Sequence, residues 1–304
     1  MSGAMYPEMW KTSLIKLAYR LNACLNNMGV GNLWFMRSFK QKGKQLMTRR
    51  LAPDNTCLVK IDDSLMYVHT NTADFPLYAF GPYEPYTTEL FKHVIKPGAT
   101  VIDIGAQYGY FSLIAAKKAG SDGKVYAFEP APTNFQLLKR NIQMNNYTNI
   151  VHPIQKAVGD KRSTLTLFVY ENSDSHSMYR HPQASVKEEV SVECITIDEF
   201  LGGKSIDIIK IDIEGHEHYC LQGMEKTIAK SDSLILFAEL APAYLRRAGV
   251  ESEDYLAQLR SFGFDIQVID ERSRCLKPIT KAMLVKAEDN PSWHVNLYCV
   301  KRKH

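Results

Sequence analysis

The sequence predicts an α/β fold built around a doubly wound, mostly parallel sheet, and three features of the residue order carry that expectation. From Pro97-Gly98 onward, short apolar runs alternate with segments of helical periodicity, the succession that βαβ units produce. The first of those runs hands over to its helix through a glycine-bearing turn, Asp103-Ile104-Gly105-Ala106-Gln107-Tyr108-Gly109. The second ends in a carboxylate, within Val125-Tyr126-Ala127-Phe128-Glu129-Pro130. A chain of 304 residues with 45% hydrophobic and 11% aromatic content can bury a full core. At about 150 residues per domain it accommodates one large domain and an accessory part.

Residues 1–88 read as a basic extension. Trp10, Leu14, Leu17, Leu21, Leu25 and Met28 recur at the three-to-four spacing of an amphipathic helix that stops near Gly29 and Gly31. Residues 58–61 and 65–68 flank Asp62-Asp63-Ser64 as a hairpin, and Gly81-Pro82-Tyr83-Glu84-Pro85 is a rigid loop into a helix from about Thr88. Residues 89–304 form the main domain. Its strands are expected at 100–104, 124–128, 150–155, 206–211, 233–239, 264–269 and 294–300, and its helices at 110–119, 132–145, 217–229 and 253–262. Residues 165–170 and 190–195 enclose a Ser- and His-rich stretch, an inserted hairpin near 160–195 placed where a substrate lid would sit.

The net charge of +4 is uneven. Nine Lys and Arg against Glu8 alone give the first fifty residues +8, which leaves −4 for the rest. Such an arm suits a solvated helix flank, and equally a peripheral contact with an anionic membrane surface, a nucleic acid or a phosphorylated acceptor. Six cysteines without C-x-x-C spacing fit reduced, buried thiols, and no run of about 18 apolar residues or secretory leader is visible; a cytoplasmic location is expected.

The turn from Asp103 to Gly109 lets a ligand approach the backbone beyond the strand's carboxyl end. Glu129, closing the next strand, is suited to gripping two ribose hydroxyls. A dinucleotide fingerprint would need glycines at 105, 107 and 110, where the chain has Gly105, Gln107 and Tyr110. Asp103 would repel a pyrophosphate but attract an ammonium or a sulfonium. These residue types point to S-adenosylmethionine.

The same residues resemble a known family. Residues 101–112 around the turn, Ala127-Phe128-Glu129-Pro130, Asn134-Phe135 with Leu138 and Asn141, Ala157-Val158-Gly159-Asp160, Thr196-Ile197-Asp198, Ile209-Lys210-Ile211-Asp212-Ile213-Glu214-Gly215-His216-Glu217 and Leu236-Phe237-Ala238-Glu239-Leu240 are similar to the FkbM family of class I S-adenosylmethionine-dependent methyltransferases, over residues 83–240. Gln107 stands where Asn is usual and His216 where a small residue is usual. The resemblance implies a Rossmann-like, seven-stranded sheet with its last strand antiparallel, and O-methylation of a hydroxyl on a sugar, glycolipid or secondary metabolite. Its implied cofactor contacts are Glu84, Asp103, Gly105, Ala106, Gln107, Tyr108, Gly109, Glu129, Pro130, Ala157, Val158 and Asp212.

Methyl transfer asks the protein to align the acceptor and to remove a proton. Asp212, Glu214 and Glu239, following two neighbouring strands, are the candidate catalytic acids, with Glu214 or Glu239 as base. Glu217 reads equally as a carboxylate favoured by a helix N-terminus; His216 and His218 could each act as base, though single histidines at a helix start are more often surface residues. A divalent metal on Asp212, Glu214 and Glu239 is weighed but not expected. Asn290-Pro291-Ser292-Trp293 precedes the last strand and reads as a connecting turn. A small-molecule or glycan acceptor is expected, and a homodimer is left open. The rival functions are a nucleic-acid methyltransferase, on the strength of the basic arm, and a cofactor-binding scaffold without turnover.

Overall fold

The computed structural model describes residues 9–14, 16–17, 55–72, 75–171, 176–288, 290 and 292–301, divided between two compact units, Met1–Tyr83 and Glu84–His304.

In the first unit residues 9–14 are helical. The buried Thr12 hydroxyl donates to the Leu58 carbonyl at 2.6 Å, while Trp10, Leu14 and Leu17 are exposed. Leu21, Leu25, Met28 and the basic residues from Arg20 to Arg50 lie outside the described residues. Strands β1 (Thr56–Ile61) and β2 (Ser64–His69) pair antiparallel, Ile61 opposite Ser64, so that Asp62-Asp63 forms the turn, with Asp62 in the left-handed region (φ 49°). Helix α1 (Phe75–Phe80) follows.

The second unit begins with α2 (Pro85–Val94). It starts three residues before the position expected from sequence, because a proline in the first turn loses no hydrogen bond and presets a helical φ. Then come β3 (Thr100–Ile104), α3 (Tyr110–Ala119), β4 (Lys124–Phe128), α4 (Pro132–Met144), β5 (Val151–Ile154) and β6 (Ala157–Val158). The insertion supplies β7 (Ser163–Tyr170) and β8 (Val186–Ile195), after which α5 (Ile197–Leu201) leads to β9 (Ile208–Ile211). Helices α6 (Glu217–Gln222) and α7 (Glu225–Lys230), strand β10 (Leu234–Leu240), α8 (Pro242–Arg247), α9 (Ser252–Ser261), β11 (Phe264–Asp270), β12 (Cys275–Pro278), α10 (Lys281–Glu288) and β13 (Val295–Lys301) complete it.

The main sheet runs β12-β11-β13-β10-β9-β3-β4-β5. Strands β5, β4, β3, β9 and β10 are mutually parallel, and β13 is antiparallel to both β10 and β11. This is the expected Rossmann-like, doubly wound sheet, with eight strands instead of seven. The additional strand is β12, which folds back on β11 through Arg274 in the left-handed region (φ 50°). Its residues Cys275, Leu276 and Lys277 are only half-buried and it closes on a proline, as suits a short edge strand. Helices on both faces bury the parallel strands, and Ile102, Ile104, Ile209, Ile211 and Leu236 form the centre of the core.

The single helix expected over 217–229 is two helices, α6 and α7. At the break the Gly223 carbonyl accepts from the Asp198 N–H, the Asp198 carboxylate accepts from the N–H groups of Lys226 and Thr227 at the start of α7, and a Cβ on Gly223 would stand 1.9 Å from the Gly159 carbonyl oxygen. A separate three-stranded sheet, β6-β8-β7, carries the insertion. Before β13, the Trp293 and Ser292 N–H groups both donate to Asn290, a connecting turn. Cys57, Cys194, Cys220, Cys275 and Cys299 are free thiols. Among the described residues no helix is long and apolar enough to cross a membrane.

Candidate functional site

Strand order reverses between β3 and β9, the position where open α/β sheets leave a crevice beyond their carboxyl ends. The turns that leave these two strands touch. A Cβ on Gly105 (φ 84°) would stand 1.9 Å from the Asp212 carbonyl oxygen, so only glycine lets the two backbones meet. The N–H groups of Gly105 and Ala106 both donate to the Phe128 carbonyl at 2.9 Å, which fastens the turn to β4. Gln107, left-handed at φ 51°, donates its N–H to Glu129 Oε2 at 2.8 Å, and Ala131 donates to the other oxygen at 2.9 Å. The Asn134 side chain hydrogen-bonds the same carboxylate, so Glu129 is a buried staple between turn, strand and α4, with three donors on about four acceptor sites and one left for a ligand hydroxyl. Burial pushes its carboxyl up to about 7 despite those three hydrogen bonds.

Tyr108 is buried in the core, and its carbonyl accepts from Asn141 Nδ2 at 2.8 Å. Gly109 opens α3 in the left-handed region, where a Cβ would meet Leu138 at 2.7 Å. Pro130 is half-buried next to Glu129. Ala157 and Val158 are buried in β6, paired with Cys194 and Ile195 of β8.

The sequence reading passed over Lys210, the middle of this charge cluster. Its side chain is buried and Nζ donates to Asp212 Oδ2 at 2.9 Å, with the ammonium 4.6 Å from the centre of the Phe111 ring. Burial opposes its charge, but Asp212, Glu84 and Asp103 more than offset this and hold it above the usual lysine range. Conversely, burial raises Asp103, which Lys210 and the Ser112 hydroxyl, 2.5 Å from Oδ2, pull partly back. Glu84, left-handed at φ 42° just before α2, is raised to about 7 by burial, against the pull of Lys210. Its Oε2 is buried without a hydrogen-bond partner. Three carboxylates around one ammonium leave two formal negative charges when all are ionised.

Beyond Asp212 the chain turns through Glu214 (φ 55°) and Gly215 (φ 105°), and a Cβ on Gly215 would meet the Tyr244 carbonyl at 2.6 Å. Glu217 Oε1 accepts from the N–H groups of Ile213 and Gly215 at 3.1 and 3.2 Å; this carboxylate clamps its own loop. Glu239, near the end of β10, has a buried Oε2 with no partner. Burial lifts Glu239 far above the carboxylate range, and Asp212, Glu214, Glu217 and Glu84 add to the effect. It thus feels both the Lys210 cluster and the Glu214 turn. His216, expected on the surface, is buried. Its ring stacks on Tyr219 at 5.2 Å, Nδ1 lies 2.8 Å from the Tyr179 hydroxyl, and burial lowers it to about 4, so it is neutral. His218 bonds Gln222 on the same helix at 3.1 Å.

A cavity of about 260 Å³ opens beside Glu214, lined by Glu214, Tyr244 and Arg247 on one side and by Tyr170, Ser177 and His181 of the insertion on the other. Among the described residues no three or more His, Cys, Asp or Glu side chains gather as ligands for one metal ion.

Residues 103–266, more than half of the chain, match the family described as the methyltransferase FkbM domain. The chain belongs to the FkbM methyltransferase family. Methyltransferase 1 of Beauveria bassiana is 28% identical over 146 residues, 41% of this chain and 58% of that protein. The 31-O-demethyl-FK506 methyltransferase FkbM of Streptomyces tacrolimicus is 26% identical over 163 residues, 43% of this chain and 61% of that one. The hexuronic acid methyltransferase AglP of Haloferax volcanii is 25% identical over 137 residues, 44% and 53% respectively. The match thus spans 53 to 61% of these relatives' own length. Among solved structures, methyltransferase FkbM of Methylobacillus flagellatus aligns with a TM-score of 0.41 and 17% identity over 70% of this chain and 50% of that chain.

Proposed function

We propose that this FkbM-family chain binds S-adenosylmethionine at the β3–β9 crevice and methylates a hydroxyl oxygen of a sugar, glycolipid or secondary metabolite. The observation that carries the reading is the contact of the Gly105 and Asp212 turns beside an acid-rich cluster. Asp103, Glu84 and Asp212 outnumber Lys210, an environment that attracts a cationic ligand. The orphaned Glu84 Oε2 is a ready acceptor for its ammonium group, and Glu129, which already accepts from Gln107, Ala131 and Asn134, keeps one acceptor site for a ribose hydroxyl. The residues present therefore fit this cofactor. Bound there, it would supply an electrophilic methyl group on sulfur.

The protein's own part is alignment and proton removal. Asp212 is committed to Lys210 by an ion pair at 2.9 Å, which suits it to positioning. Glu239 has an uncommitted oxygen and a raised proton affinity, which suits it to accept the acceptor's proton once ionised. The names of two relatives, one for 31-O-demethyl-FK506 and one for hexuronic acid, support an oxygen-rich acceptor.

Calorimetry with S-adenosylmethionine tests the first half; absence of binding overturns the reading. Release of S-adenosylhomocysteine across a panel of glycans and hydroxylated natural products tests the second. In Glu239→Gln the cofactor is expected to bind as before while kcat falls about 10²–10⁴-fold. The parent's rise of rate with pH should vanish as well. A rise that survives the substitution rejects Glu239 as base.

A further inference from the structure

Resting on the methyltransferase reading above, we propose that the cavity beside Glu214 is the acceptor subsite and takes a sugar ring bearing an anionic group, a carboxylate or a phosphate, which Arg247 holds.

Position comes first. Glu214 lines the cavity only two residues beyond Asp212, and the Ser177 hydroxyl of the insertion donates to the Glu214 carbonyl at 2.9 Å, which ties the far wall to the same turn. Glu239 is coupled electrostatically to Asp212 on the cofactor side and to Glu214 and Tyr244 on the cavity side. Size follows. At about 260 Å³ the cavity falls below the ~300–1,000 Å³ of sites that swallow a drug-sized ligand, and suits one ring of a larger acceptor.

Charge decides the class. Arg162, Arg180, Arg260 and Arg274 each have a carboxylate within 4.0 Å. Arg247, half-buried at the cavity wall, has none among the described residues. Its guanidinium lies 4.7 Å from the centre of the Tyr244 ring, and the Tyr244 hydroxyl hydrogen-bonds the Glu214 carboxylate. A stacked guanidinium keeps its planar fork of donors, which matches a carboxylate or phosphate in bidentate fashion. His181 adds a neutral donor. Its Nδ1 accepts from the Gln183 N–H at 3.1 Å, so Nε2 carries the proton and can donate to a bound oxygen. Burial and then Arg247 keep this imidazole below the usual histidine range. Glu171 and Glu214 also line the cavity, but Glu214 is engaged by Tyr244 and neither forms an ion pair with Arg247, so the guanidinium is left for a ligand anion that the two acids would keep at its end of the cavity.

The test is calorimetry on the full chain loaded with S-adenosylhomocysteine, with methyl glucuronide, glucose 6-phosphate and methyl glucoside as probes. One of the two anionic probes is expected to bind at least tenfold tighter than the neutral one, and which of them does so tells carboxylate from phosphate. Arg247→Ala should remove that preference and leave S-adenosylhomocysteine affinity unchanged; Arg247→Lys should restore part of it. Equal binding of all three probes, a preference that survives Arg247→Ala, or a loaded protein that takes none of them overturns the proposal alone. Failure to bind S-adenosylhomocysteine overturns the methyltransferase reading, and the proposal with it.

Discussion

Gly105→Ala is the sharpest probe of the crevice, because two independent effects act on one methyl group and a second glycine separates them. The φ of 84° at Gly105 costs an L-residue about 1–2 kcal/mol. The added Cβ would lie 1.9 Å from the Asp212 carbonyl oxygen, where ordinary contact starts at 3.4 Å, so the β3 and β9 turns must part by about 1.5 Å. Forcing atoms into packed space costs about 1–3 kcal/mol more. Gly98 has nearly the same φ, 79°, with nothing within 4 Å of its Cβ position, so Gly98→Ala carries the conformational cost alone. Urea denaturation should therefore find Gly105→Ala about 1–3 kcal/mol less stable than Gly98→Ala. Calorimetry should find S-adenosylmethionine affinity lowered at least tenfold in Gly105→Ala and unchanged in Gly98→Ala. Equal stability of the two variants would refute the claim that these turns are in backbone contact.

Two further outcomes follow from the buried charges. Lys210→Met leaves Asp212, Asp103 and Glu84 without their cation and should cost about 3–5 kcal/mol in urea denaturation at pH 8. The loss should shrink at pH 5, where Asp103 and Glu84, both raised by burial, take up protons; equal losses at the two pH values would count against the cluster. Glu217→Gln keeps the one oxygen that accepts from Ile213 and Gly215 while removing a titration. Burial holds the parent carboxyl at about 7 against an ordinary 4.5, so its contribution to stability is complete below pH 4.5 and is lost as pH rises to 7. That loss runs at up to ~1.4 kcal/mol per pH unit. The variant's stability should fall less steeply across this window, and a slope matching the parent's would show that Glu217 is not buried as described.

The elements easiest to read from the sequence are those with both local and tertiary reasons to form. Residues 100–104 and 124–128 are short apolar runs bounded by glycine or charge, and they are β3 and β4 with the expected limits. The break at Gly223 is not legible locally because the groups that meet it, the Asp198 carboxylate and the Gly159 backbone, come from distant parts of the chain. Lys210 was missed for a related reason. Within Ile209-Lys210-Ile211 an alternating pattern reads as polar side outward, but β9 lies in a parallel sheet covered on both faces, and every residue in it is buried. A charged residue in such a strand must find a partner inside, and that rule would have paired Lys210 with the acids that end the neighbouring strands. Arg247 carries no motif at all; only its place across the cavity from the insertion marks it.

That insertion has a consequence for how this protein can change. Sheet β6-β8-β7 holds its own apolar cluster of Ala131, Ala157, Leu167, Val169, Val192 and Cys194, whereas the Gly105 turn is fastened to β4 and β9. The wall residues Tyr170, His181 and Ser185 belong to no strand of the main sheet, while Ser177 and Tyr179 tie the insertion to Glu214 and His216. Selection can alter those wall residues while the Gly105 and Asp212 turns stay constant, as long as the ties through Ser177 and Tyr179 are kept.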